Sequence, residues 1–375
     1  MERFALSRMK EWKENENRKP LIIRGARQVG KTWIMKTFGQ QYFEKTAYVN
    51  FDNNARMKQV FEGDLDIERL VLAISAETGV SIEAENTLII FDEVQEVPKA
   101  LTSLKYFHEN APQYAIVAAG SLLGVALHQG TSFPVGKVDF LDLYPLNFRE
   151  FLCAMGEKQF VSMLDSCDTQ MVTVFKTKYI ERLREYYFVG GMPEVVKDFS
   201  EKKDYNRVRA IQKNLINYYQ QDFSKHAEIK LVPRLNLVWN SIPMQLAKEN
   251  KKYIYGQVRE GSRAKDFELA IQWLLDCGLI HKVQRIQKPD LPLKAYIDFD
   301  AFKLFLVDIG LLIAMTDLDA KVIIEGNKIF TEFKGSLTEQ YILQQLISDV
   351  GVIPYYYSTQ NSKGEIDFLV QGKTS

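Results

Sequence analysis

Leu21-Ile22-Ile23-Arg24-Gly25-Ala26-Arg27-Gln28-Val29-Gly30-Lys31-Thr32 is the stretch on which the reading of this 375-residue chain turns. Its last eight residues match G-x-x-x-x-G-K-[ST] without departure, and the flanks are right for that pattern: a short apolar run before it and a helix-capable run, Thr32 to Phe38, after it. The spacing has a physical purpose. Two glycines let the backbone curl so that successive N–H groups point inward at phosphate oxygens, while the following helix turns its positive end to the same anion. Gly25, Ala26, Arg27, Gln28, Val29, Gly30, Lys31 and Thr32 are therefore expected to cradle the phosphates of ATP. Lys31 would reach the β- and γ-phosphates, and Thr32 would ligate Mg²⁺.

Working outward, three more short apolar runs are separated by helix-length intervals: Ala47 to Phe51, Leu88 to Phe91 and Tyr114 to Ala118. Apolar strands alternating with helices imply an α/β domain with a parallel sheet covered on both faces. Leu88-Ile89-Ile90-Phe91 ends in Asp92-Glu93. Alone, two acids after a strand read more readily as the start of a solvated loop, since strands often end in charge. Sixty residues downstream of a phosphate loop they acquire roles, Asp92 toward Mg²⁺ and Glu93 toward the water that attacks the γ-phosphate. A further strand runs into Ala118-Ala119-Gly120-Ser121, where the Ser121 hydroxyl would lie beside the phosphates.

Composition bounds the rest. The 48 basic and 48 acidic side chains cancel, so any nucleic-acid contact has to be local. Three scattered cysteines, Cys153, Cys167 and Cys277, fit neither a disulfide framework nor a zinc ribbon and suit a reducing cytosol. No apolar run is long enough to span a bilayer, so a cytoplasmic protein without membrane insertion is expected. The run Leu304 to Met315 carries Asp308 in its middle and reads as core.

After about Phe148 the pattern turns to long amphipathic helices broken by Gly190-Gly191-Met192-Pro193. Val232 to Val283 gives three helical patterns, and Leu279 to Gln284 with Ala295 to Phe299 reads as a ribbon around Pro289-Asp290-Leu291-Pro292, a winged-helix plan. Its recognition-type helix, Ser262 to Cys277, has a core stripe of Phe267, Ile271, Leu274 and Leu275. The outward set Lys265, Glu268, Gln272 and Asp276 is mixed in charge and a poor reader of a major groove. Lys248 to Lys294 holds ten Lys/Arg against six Asp/Glu, so a DNA partner and a protein partner both stay open.

The blocks GARQVGKT, LIIFDEVQEVP, AAGSLLG, VDFLDLYPLNFREFL and GGMPEVV, in this order and spacing, resemble those of bacterial and archaeal AAA-type ATPases that carry a C-terminal domain of unknown function. The resemblance implies an AAA-like core with strand order 5-1-4-3-2, Lys31, Thr32, Asp92 and Glu93 in the roles above, and Ser121 as a polar sensor. Where those relatives read Gly-Arg, this chain has Gly136-Lys137, so Lys137 and Arg149 are both candidate cations for the site, alongside an arginine supplied in trans by a second copy. The C-terminal residues resemble the start of a restriction-endonuclease-like fold, with Glu339 and Asp367 as its acids and no following E-x-K before Ser375. The expected organisation is an ATPase domain over 1–150, a helical region over 151–230, a winged-helix-like domain over 231–317 and an incomplete endonuclease-like segment over 318–375. Two functions follow: a Mg²⁺-dependent ATPase that drives its C-terminal domains, or an ATP-dependent switch or nucleic-acid-binding module with little turnover.

Overall fold

The computed structural model describes residues 1–120, 124, 133–248, 252–325, 328–359 and 364–372, with side chains of 328–333 excepted. It divides into two units, Arg3–Leu143 and a second of Tyr144–Ser375 with Met1–Glu2.

The first unit alternates strand and helix: α1 (Ala5–Glu14), β1 (Leu21–Arg24), α2 (Lys31–Tyr42), β2 (Lys45–Asn50), α3 (Ala55–Glu62), α4 (Ile67–Thr78), β3 (Thr87–Asp92), α5 (Pro98–Asn110), β4 (Ala115–Ala119) and β5 (Asp139–Asp142). All pairings are parallel, and the order β2-β3-β4-β1-β5 is the expected 5-1-4-3-2. Every residue of β3 and β4 is buried, as strands covered on both faces require. A train of edge-to-face rings, Phe51, Phe61, Phe91 and Phe107, packs α3 and α5 against the sheet with centroids 5.3 to 6.5 Å apart. Such rings contribute beyond the area they bury, and they lie under the strand that ends in Asp92.

The second unit begins with helices: α6 (Phe148–Ala154), α7 (Lys158–Asp165), α8 (Thr169–Val174), α9 (Lys176–Val189), α10 (Pro193–Lys202), α11 (Tyr205–His226), α12 (Val232–Leu246), α13 (Tyr255–Val258) and α14 (Ala264–Asp276). Then follow β6 (Ile280–Ile286), β7 (Ile297–Leu306), α15 (Ile309–Met315), α16 (Ala320–Glu325), α17 (Lys328–Gln345), β8 (Tyr355–Ser358) and β9 (Glu365–Leu369). Phe267, Ile271 and Leu274 of α14 are buried, whereas Leu275 of the expected stripe is only half-buried. β7 runs seven residues beyond the expected Phe299, because the apolar run Leu304 to Met315 divides at Asp308 into a strand end and a helix. Asp308 is the break: its carboxylate caps α15 by accepting the Leu311 N–H at 3.1 Å.

β8 pairs in parallel with β6 and β9 antiparallel with β8, so the ribbon continues into a four-stranded sheet, β7-β6-β8-β9. Residue 317, the expected boundary between a winged-helix-like domain and a C-terminal segment, thus falls between strands of one sheet. Among the described residues no helix is long and apolar enough to cross a membrane.

Candidate nucleotide site

The glycine loop is bent by close approach as well as by sequence. Gly25 has φ +146°, and a Cβ there would stand 2.1 Å from the Leu143 carbonyl oxygen. Only a residue without a side chain fits. Gln28 (φ 66°) and Gly30 (φ 95°) complete the curl, and the Val29 carbonyl accepts Nη1 of the buried Arg3 at 3.1 Å. Gly30 caps α2 without any side-chain acceptor, so the helix leaves its first N–H groups toward the loop. Lys31 donates to the carbonyls of Gly25 at 2.9 Å and Ala26 at 2.8 Å, folding its ammonium into the loop's own hollow.

β1 and β3 are parallel and separated only by β4, so their C-terminal ends emerge on one edge of the sheet. There Thr32 Oγ1 donates to Asp92 Oδ2 at 2.7 Å across sixty residues of sequence. Asp92 is buried. Its Oδ1 accepts the Glu93 N–H at 3.1 Å, and its Oδ2 also accepts Tyr48 OH at 2.9 Å. Burial and then the charge of Asp92 push the Tyr48 hydroxyl up, so it remains a donor. Glu93 stands in the left-handed region (φ 51°, ψ 44°), and its Oε2 accepts the Gln95 amide at 2.7 Å. A hydroxyl and a carboxylate side by side are hard oxygen donors of the kind Mg²⁺ takes, one or two carboxylates being its usual protein complement. Ser121 lies outside the described residues.

The candidate cations are placed otherwise. Lys137 precedes β5, whose first residue pairs with Leu21 at the start of β1, so it belongs to the sheet edge opposite the glycine loop. It is paired there with Glu109 at 3.0 Å. Four strand residues, about 13 Å at a strand's rise, separate it from the phosphate end, and Lys137 is removed as a nucleotide contact. Arg149 is engaged in the second unit, with Asp349 at 3.1 Å and with Asp165.

The GGMP and NFRE blocks have a structural purpose in that second unit. Asn147 and Glu150 form a capping box on α6. The Gly191 N–H donates to Asp308 Oδ2 at 2.6 Å, its carbonyl accepts the Leu146 N–H at 2.7 Å, and a Cβ at Gly191 would stand 2.1 Å from the Leu146 carbonyl. Asp308 also accepts Gln344 Nε2 at 3.2 Å. Burial pushes its carboxyl up to about 6 against the opposing pull of these donors.

Glu339 and Asp367 converge around a lysine that sequence reading passed over. Lys303 Nζ lies 3.2 Å from Glu339 and 3.6 Å from Asp367, and is also bonded to Glu365. Burial alone would lower its pKa; the three carboxylates outweigh that and raise it. The signal was present in Ala301-Phe302-Lys303-Leu304-Phe305, a charge alone in an apolar strand. Tyr48 was likewise missed, although Ala47-Tyr48-Val49 alternates as a strand beside Asp92 must.

Residues 17–152 match the family described as AAA domain, and residues 180–322 match a domain of unknown function, DUF8612. No curated protein matches. Among solved structures, the Walker-type ATPase PABY2304 of Pyrococcus abyssi is similar in fold, with a TM-score of 0.51 and 15% identity over 84% of this chain and 95% of that one. The ORC1 protein of Aeropyrum pernix in complex with DNA aligns with a TM-score of 0.32 and 13% identity over 83% of this chain and 91% of that one. The five-stranded parallel sheet with its glycine loop is an AAA-like P-loop fold.

Proposed function

We propose that this chain, with an AAA-type P-loop domain over residues 17–152, binds ATP with Mg²⁺ and hydrolyses it, and that hydrolysis drives a conformational change in its C-terminal helical and winged-helix-like regions. The observation that carries the reading is the Thr32–Asp92 hydrogen bond of 2.7 Å, which unites the glycine loop with the acid pair. In this reading the loop N–H groups from Gly25 to Gly30 bind the phosphates, and Lys31 exchanges its two carbonyl partners for β- and γ-phosphate oxygens. Thr32 and Asp92 hold the Mg²⁺, which when bound neutralises charge on the phosphate oxygens. Glu93 accepts a hydrogen bond from the attacking water and orients it, and Ser121 senses the γ-phosphate.

With Lys137 on the far edge and Arg149 engaged, we assign the arginine that balances transition-state charge to a second copy of the chain or to a partner. The mixed outward face of α14, with Lys265, Glu268 and Gln272 exposed, favours a protein partner over DNA there.

A second reading, a switch that turns ATP over slowly, draws on the hydrogen bond from Gln95 to Glu93, since water activation then waits for a rearrangement. Phosphate release by the purified chain, measured with and without Mg²⁺, duplex DNA and single-stranded DNA, separates the two. Steady release supports the ATPase. Tight ATP binding with a single turnover supports the switch, and no ATP binding ends both.

A further inference from the structure

Asp92 is held by more groups than a glycine loop and an acid pair require. Oδ2 takes two hydroxyls, from Thr32 at 2.7 Å and Tyr48 at 2.9 Å, while Oδ1 takes one N–H, from Glu93 at 3.1 Å. Tyr48 comes from β2, the strand beside β3, where it stands opposite Ile90 in the register. Its neighbours Ala47 and Val49 are buried in the core on one face of the sheet, so alternation sends Tyr48 to the other. On that face Lys36 of α2 lies 3.8 Å above the centre of the tyrosine ring. A cation over a ring face is attracted by its quadrupole, and the ring is clamped between helix and strand with its hydroxyl delivered to one oxygen of Asp92.

We propose that Tyr48 is a positioning residue of the divalent-cation site: its hydroxyl fixes the rotation of the Asp92 carboxylate, leaving the second lone pair of Oδ1 to face the cation's hydration shell. This rests on the reading of Thr32 and Asp92 as the Mg²⁺ pair and adds a residue to it.

The physical case is one of rotation. An aspartate carboxylate turns in a broad, two-fold torsional well, so a single hydroxyl on one oxygen does not hold its plane. Three donors of different origin do: a helix residue, a neighbouring strand and the chain's own next N–H. When Thr32 turns its oxygen to the cation, Tyr48 still holds Asp92, and the acid meets the ion already oriented. Ordering done before binding is not lost from affinity. Partners behind a ligating carboxylate typically change metal affinity by about 10- to 100-fold.

Tyr48→Phe tests this while keeping the ring beneath Lys36. The readouts need no turnover: the Mg²⁺ concentration for half-maximal binding of a fluorescent, non-hydrolysable ATP analogue, and Mn²⁺ occupancy by electron paramagnetic resonance. The half-saturating Mg²⁺ should rise roughly tenfold, with weaker Mn²⁺ binding to match, while analogue binding in EDTA stays at the parent's level. An unchanged half-saturation overturns the inference. So does an equal loss with and without metal, which would make Tyr48 a packing residue. Failure of the underlying reading looks different: the parent chain itself would bind the analogue independently of Mg²⁺, and Asp92→Asn would change nothing.

Discussion

Lys31 donates to two carbonyls of the glycine loop, those of Gly25 and Ala26, which on the proposed reading it gives up for phosphate oxygens. On the proposed division of roles, with Lys31 holding phosphate and Glu93 orienting water, Lys31→Ala should abolish ATP binding, whereas Glu93→Gln should keep binding and lower turnover by about 10² to 10⁴. Equilibrium binding and phosphate release on the same two variants check this, and equal loss of binding in both would overturn the division of roles. Asp308 offers a test by pH. Its folded pKa of about 6 lies above the ordinary carboxylate value, so the protonated form is favoured by folding. Its contribution is fully present below about pH 4 and is lost as pH rises toward about 6, a change of about 3 kcal/mol. The stability difference between the parent and Asp308→Asn, followed by urea unfolding from pH 4 to 7, should shift in that sense and then level off.

Elements meet in this protein where glycines and single charges allow them to. Gly25→Ala would press a methyl group on the Leu143 carbonyl at a backbone angle that alanine avoids, and should cost about 2–4 kcal/mol with loss of nucleotide binding. Lys303→Met should cost about 3 kcal/mol in urea unfolding, since it leaves the buried Glu339 beside two other carboxylates without the ammonium. The same ammonium sits among the acids that a metal-dependent nuclease would need, so plasmid DNA should survive incubation with Mg²⁺ or Mn²⁺; cleavage lost in Asp367→Ala would contradict this. Sequence reading carried further for the first unit than for the second. Continuous apolar strands and the spacing of Gly25, Gly30, Lys31 and Thr32 encode the strands and the loop locally, whereas the sheet order was implied only by the family resemblance. The convergence of Gly191, Asp308 and Gln344 depends on contacts 117 and 36 residues apart, for which periodicity has no signal. Lys137 failed for a related reason: its charge was legible, but which edge of the sheet it belonged to emerged only from the β1–β5 register.

For the molecule as a whole, a transition-state cation supplied in trans predicts turnover per chain that rises with protein concentration, and flat turnover on dilution would argue for a cation within the chain. The strand order carries another consequence, for the chain during its synthesis. β1 lies between β4 and β5, the two strands of its sheet made last, so the strand that launches the glycine loop has no sheet neighbour until residue 115 and is flanked on both sides only after residue 139. At roughly 5–20 residues per second that is an interval of about 5 to 25 seconds, in which Leu21-Ile22-Ile23 is an apolar segment without a sheet to join. Thr32 acquires Asp92 as a partner only when β3 has emerged from the ribosome and been drawn alongside by β4. On the proposed reading, ATP would bind only once the late strands have closed around β1, and by mass action it would favour that closed sheet in the first unit.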